Sequence, residues 1–185
     1  MPVQSGPHGG LTHFNALPQD FAVKALLTCC GSHAWAHRLA AHRPYPDLDA
    51  LLAAADEASY DLALDDTVEA LTREELPLLP DAAAYTAAYT ALAAAHAAYR
   101  SRFGRDFVVC LDETAPGEAL NHVLGALRDR LGNDQEEERV LAAEELRRLA
   151  RGRIARLVRN LPASRTGTPD AAPRETVGNS PYVPV

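Results

Sequence analysis

The sequence predicts an all-α protein, a multi-helix bundle, on three observations. Much of its 47% hydrophobic content is alanine, with aromatics at only 6%, and alanine loses no side-chain entropy in a helix. Apolar residues recur at the three- and four-residue spacing of amphipathic helices. Short breaks of proline, glycine and capping residues separate these patterns. At 185 residues the chain is long enough for one domain with its own core. The expected layout is a single helical domain over 11–160, an N-terminal tail over 1–10 and a C-terminal tail over 161–185. Both tails are rich in Pro, Gly, Ser or Thr without apolar periodicity, which predicts disorder.

Each helix has a local reason. Pro18 suits the first turn of a helix running through Phe21, Ala25 and Leu26 to the Cys29-Cys30 pair, with Gly31 able to end it. Ser32 is the N-cap of a second helix through Trp35 and Leu39 to about His42, which Arg43-Pro44-Tyr45-Pro46 cannot continue. Asp47 starts a third, with Leu48, Leu51, Leu52 and Ala55 on one face. A fourth begins near Asp65-Asp66, where acids favour a helix N-terminus, carries Val68 and Leu71, and stops before Pro77 and Pro80. Asp81 caps a long alanine-rich helix closed by Phe103-Gly104. The apolar run Phe107-Val108-Val109-Cys110-Leu111 is too short for a helix and reads as a buried extended segment. Helices over 116–131 and 134–159 follow, the second opened by Asn133 with Glu136 three residues later.

Composition also excludes function classes. With 18 Lys+Arg against 25 Asp+Glu the net charge is −7, which is not the footprint of a nucleic-acid binder. No run approaches the roughly 18 apolar residues of a membrane span. Met1–Gly10 lacks the basic and apolar regions of a signal peptide. Three cysteines, two adjacent, make no disulfide framework, and a cytoplasmic location is expected.

Few residues offer chemistry from spacing alone. His33 and His37, four apart on a helix, could face one metal, but no third ligand of matching spacing appears, so no metal site is expected and exposed or core-edge histidines are the simpler reading. Cys29-Cys30 lacks CxxC spacing and reads as two small buried hydrophobes. No Walker A, GxGxxG or nucleophile-elbow pattern occurs. Arg153 differs from the other arginines of the last helix. At 100° per residue it falls near the centre of the apolar stripe formed by Ala142, Leu146, Leu149, Ala150 and Leu157. An inward arginine needs an anion, either an internal carboxylate (Glu69, Glu74 or Glu75) or an anionic ligand held between helices.

Three stretches together resemble one family. They are Cys30-Gly31-Ser32 with Trp35-Ala36, Arg43-Pro44-Tyr45 and Asp47; then Tyr99, Arg102-Phe103-Gly104 and Phe107-Val108-Val109; then Arg130-Leu131, Asn133, Glu137-Glu138-Arg139 and Arg153-Ile154 with Leu157. In order and spacing, from about Phe14 to Val158, they resemble the 2-oxo-4-hydroxy-4-carboxy-5-ureidoimidazoline (OHCU) decarboxylases, which complete urate oxidation to (S)-allantoin. The resemblance implies an all-α fold, a homodimer, no metal or organic cofactor, and a small ureide or carboxylate ligand. It assigns Arg153 to substrate binding and the main chain of Phe107, Val108 and Val109 to holding the ring. The family's catalytic His-Pro and Glu-Gln pairs have no counterpart in Leu71–Pro77 or Asp81–Thr86. Glu74 stands near the histidine's place and His96 where the family usually has asparagine, so these two are the candidate catalytic residues. The leading expectation is decarboxylation of the urate-derived ureidoimidazoline. The alternatives are a non-catalytic homologue that binds a small anionic ureide, or an enzyme of the same fold acting on another small carboxylate.

Overall fold

The computed structural model describes residues 7–77 and 86–162. Among them are eight α-helices: α1 Pro7–Ala16, α2 Gln19–Leu27, α3 His33–Ala41, α4 Leu48–Tyr60, α5 Leu64–Leu71, α6 Thr86–Phe103, α7 Ala119–Arg130 and α8 Gln135–Asn160. A single 3₁₀ turn, Pro116–Glu118, leads into α7. The bundle is all-α, as composition and periodicity predict. The expected cap at Asp81 lies outside the described residues.

The caps show how local the start signals are. The Ser32 hydroxyl accepts from the Trp35 N–H at 3.3 Å, and Asp47 accepts from the Ala50 N–H at 2.8 Å. α8 starts one residue later than expected: Asp134, not Asn133, accepts from the N–H groups of Glu136 and Glu137, and the Glu137 carboxylate returns to the Asp134 N–H. Both residue pairs fit the capping-box pattern, and the second also lets the Asn133 side chain bond Glu138 at 3.0 Å.

The long α8 joins two apolar cores. In the first, α1–α5 and α8 bury Phe14, Leu26, Trp35, Leu39, Leu51 and Ile154. The second is smaller, formed by α6 and α7 around Tyr99, Phe103, Phe107, Val123 and Leu127. Phe107–Cys110 runs between them without regular structure. Phe107 and Val109 belong to the second core and Val108 to the first, the alternation of an extended strand.

Four expectations change. α1 begins at Pro7, so residues 7–10, expected in the tail, are helical. Gly9-Gly10 has poor helix propensity, but a Cβ on Gly10 would stand 1.8 Å from the Val158 carbonyl oxygen, so glycine permits α1 to lie directly on α8. Phe21 is 61% exposed and the buried face of α2 is Ala22, Val23 and Leu26. On α5, Val68 is 47% exposed while Thr67, Ala70 and Leu71 face inward. The buried stripe of α8 runs through Ala142, Leu146, Ala150, Ile154 and Val158, which puts Arg153 on its flank.

Polar side chains tie off helix ends. Arg43 Nη1 donates to the carbonyls of Phe14 (2.8 Å) and Leu17 (2.7 Å), and its Nε to Ala40 (3.0 Å). The C-terminal carbonyls of α1, which lack helical donors, thereby find partners. The Trp35 indole donates to the Ala55 carbonyl at 3.1 Å, pinning α3 to α4.

Candidate functional site

The sequence-predicted residues form two groups. In the first, Arg153 leaves the flank of α8 and meets Glu74, three residues beyond the end of α5. Nη1 donates to Glu74 Oε1 at 2.7 Å and Nη2 to Oε2 at 2.8 Å. Nη1 also donates to the Cys29 carbonyl at 3.1 Å. Of the partners open to Arg153, an internal carboxylate is the one the fold supplies, in the bidentate geometry that suits guanidinium best. The Glu74 side chain is 6% exposed and that of Arg153 31%, so the carboxylate is enclosed while one side of the guanidinium reaches solvent. Its bonds to Glu74 raise the Arg153 pKa above the usual arginine value, against the effect of burial.

The turn between α2 and α3 is gripped from both sides. Opposite Arg153, Arg73 Nη1 donates to the Gly31 carbonyl at 2.7 Å, and Nη2 to Glu69 Oε1 at 3.2 Å. Glu69 in turn accepts the His33 main-chain N–H at 3.1 Å and lies 2.6 Å from His33 Nδ1. These bonds hold the Glu69 carboxyl below the usual carboxylate range, with the His33 ring contributing most. Burial raises both adjacent thiols, Cys30 to about 11, so both stay protonated at neutral pH and fill space as small hydrophobes.

The second group surrounds the segment between the cores. His96 Nε2 lies 3.4 Å from the Phe107 N–H and 3.4 Å from Asp106 Oδ1. One tautomer cannot serve both, since accepting from Phe107 needs a bare Nε2 and donating to Asp106 a protonated one. At that length either contact is weak, and His96 braces α6 against the segment. Arg130 Nη1 donates to the Val108 carbonyl at 2.8 Å, and the Cys110 N–H donates to Glu145 Oε2 at 2.6 Å. His96 thus belongs with Phe107, Val108 and Val109, and Glu74 with Arg153.

Several motif residues that carry the resemblance converge on a buried polar network not foreseen from the sequence. Glu138, fully buried, accepts from Tyr99 Oη at 2.5 Å, from Arg130 Nη2 at 2.5 Å and Nε at 3.0 Å, and from Asn133 Nδ2 at 3.0 Å. The Arg130 guanidinium also stacks 4.4 Å from the Phe107 ring centroid. Burial alone would raise the Glu138 carboxyl. Bonds from Arg130, Tyr99 and Asn133 outweigh it and hold it below the usual range. The Tyr99 hydroxyl is pushed up to about 12 by burial and by Glu138. A signal was present in Tyr99, Arg130 and Glu138, too hydrophilic for a bare core and each on a helix with an apolar face.

A cleft of about 530 Å³ opens between α4, residues 110–113 and α8. Arg147 and Arg151 both bond Asp56 there at 2.6 Å, and Arg148 reaches Glu145 at 3.3 Å and Glu113 at 3.5 Å. Glu74, Arg153 and His96 are not part of its lining, and its arginines already hold carboxylates. It is a weaker candidate than the turn between α2 and α3. Among the described residues no group of three His, Cys, Asp or Glu is placed to hold a metal ion, and no helix is long and apolar enough to cross a membrane.

Comparison with known proteins agrees with this architecture. Among solved structures the chain is similar to a crystal structure of (S)-allantoin synthase, with 20% identity and a TM-score of 0.63 over 80% of this chain. It spans about half, 53%, of that protein's length. It is also similar to an OHCU decarboxylase crystallised in the presence of (S)-allantoin, with 21% identity and a TM-score of 0.59, over 77% of this chain and 99% of that one. At such identities these likenesses establish the fold. No curated protein matches. The family profile described as OHCU decarboxylase matches residues 15–76 and 79–155, most of the described bundle, and the chain belongs to the OHCU decarboxylase family.

Proposed function

We propose that this protein decarboxylates the urate-derived ureidoimidazoline to (S)-allantoin, at a site centred on Arg153 and Glu74. The observation that carries the reading is Arg153 itself: a guanidinium held by helix α8, bonded on one side and open to solvent on the other, within a fold that belongs to this family. Its exposed side can take the substrate carboxylate. Loss of CO₂ leaves the bonding pair on the ring, which delocalises it, and the product needs one proton on carbon. A carboxylate in bidentate contact with arginine is an acceptor, so Glu74 serves as base toward the neighbouring hydroxyl. The main chain of Phe107, Val108 and Val109, braced by His96, supports the ring. A cytoplasmic homodimer working without cofactor belongs to the same proposal.

One observation favours a second reading, a ureide-binding homologue without turnover. The candidate base and the candidate anchor bond one another, so neither is wholly free. Circular dichroism on substrate made freshly from urate separates the two. Stereospecific (S)-allantoin formation above the spontaneous background supports the decarboxylase. Folded protein that accelerates nothing, yet melts at a higher temperature with (S)-allantoin present, supports the binder.

A further inference from the structure

Decarboxylation at this site needs a proton donor, and Glu74, held against a guanidinium, is an acceptor. Reading the family pattern leaves the donor unassigned, because its histidine has no counterpart between Leu71 and Pro77. The fold brings another histidine to the same turn. His33 opens α3, and its Nδ1 lies 2.6 Å from Glu69 Oε1, while Glu69 Oε2 accepts the His33 main-chain N–H at 3.1 Å. Two bonds to one carboxylate set the direction of the ring. With Nδ1–H donating to Glu69, Nε2 is the nitrogen left to exchange protons. The side chain is 51% exposed, so that nitrogen is accessible.

The dyad is close to Arg153 and Glu74. Arg73, which bonds Glu69 and the Gly31 carbonyl, is the chain neighbour of Glu74, with Cα atoms about 3.8 Å apart. Arg153 bonds the Cys29 carbonyl, four residues before His33, at most about 14 Å along an extended chain. The charged groups around the ring are Glu69 and Arg73 from α5 and its end, Glu74 with Arg153 across the turn, and His37 one turn further along α3.

We propose that His33, oriented by Glu69, is the proton-transfer residue of this site, an assignment that rests on the decarboxylase reading above. The bond between ring carbon and carboxylate breaks, CO₂ leaves, and the ring takes up the electron pair. His33 Nε2–H then gives its proton to ring carbon and regains one from water, so each turnover consumes one solvent proton. Glu69 is a positioning residue, since it acts through the imidazole.

The test is the circular-dichroism assay across pH with wild type, His33→Asn, His37→Gln and Glu69→Gln. His33→Asn keeps a donor for Glu69, and so the fold, but removes the titrating nitrogen. It is expected to lower kcat about 10²-fold or more with KM unchanged, and to remove the histidine limb that wild type shows between about pH 5 and 8. Added imidazole should restore part of the rate to His33→Ala. Glu69→Gln should lower kcat less, and His37→Gln should match wild type. A folded His33→Asn with wild-type kcat and pH profile overturns the assignment and leaves the decarboxylase reading standing. Absence of acceleration by wild type overturns that reading and the assignment with it.

Discussion

Arg153 illustrates how far one residue can be read. Its position beside an apolar stripe demanded an anion, and Glu74 was one of three carboxylates within the sequence logic. The choice among Glu69, Glu74 and Glu75 was not legible, because it depends on how the segment after α5 turns back toward α8. Glu69 is instead engaged by His33 and Arg73. Removing Arg153 leaves the enclosed Glu74 carboxylate without its counter-ion. Arg153→Ala should therefore cost about 3 kcal/mol, the low end for breaking a buried pair, since the Arg153 side chain is 31% exposed. Chemical denaturation of the unliganded variant measures this. If Arg153 also anchors ligand, the variant loses any rise in melting temperature with (S)-allantoin. A rise equal to that of wild type excludes Arg153 as the anchor.

At the scale of the element, signals held within a few residues were legible and those between elements were not. Ser32 and Asp47 cap helices where their side chains suggest. At Asn133-Asp134 two overlapping capping boxes were available, and the bond from Asn133 to Glu138 goes with the second. α1 went unread because Gly9 and Gly10 lower its propensity, while its stability comes from packing on α8. Gly10→Ala tests this: propensity predicts stabilisation, whereas the 1.8 Å approach to the Val158 carbonyl predicts a loss of about 1–3 kcal/mol, the usual cost of overpacking. Equilibrium denaturation should show the loss.

The whole molecule depends on the Glu138 network, which links α6, α7, α8 and the segment between the two cores. The folded pKa of Glu138 is depressed below an unfolded value of about 4.3. Its contribution to stability is therefore complete above about pH 4.3 and is lost as pH falls through the folded value. For Tyr99 the folded value is raised to about 12 from about 10, so its contribution is complete below about pH 10 and fades as pH rises toward 12. Denaturation midpoints measured against pH should fall at both ends, and Glu138→Gln should flatten the acid limb while lowering stability at neutral pH. An unchanged acid limb in that variant would assign acid sensitivity to other carboxylates.

What the sequence determined by itself was the all-α class, most helix boundaries to within a residue or two, and the family, because propensity, capping and motif spacing act along the chain. Only the tertiary structure decided which carboxylate meets Arg153, that His96 braces a loop away from Glu74, that His33 stands with Glu69 beside the same turn, and that Tyr99, Arg130 and Glu138 share one buried network. Those are contacts between residues 36 to 79 positions apart, or in the case of Arg130 and Glu138 across a helix junction. Their partners are chosen by how helices pack, which local propensity and periodicity leave open.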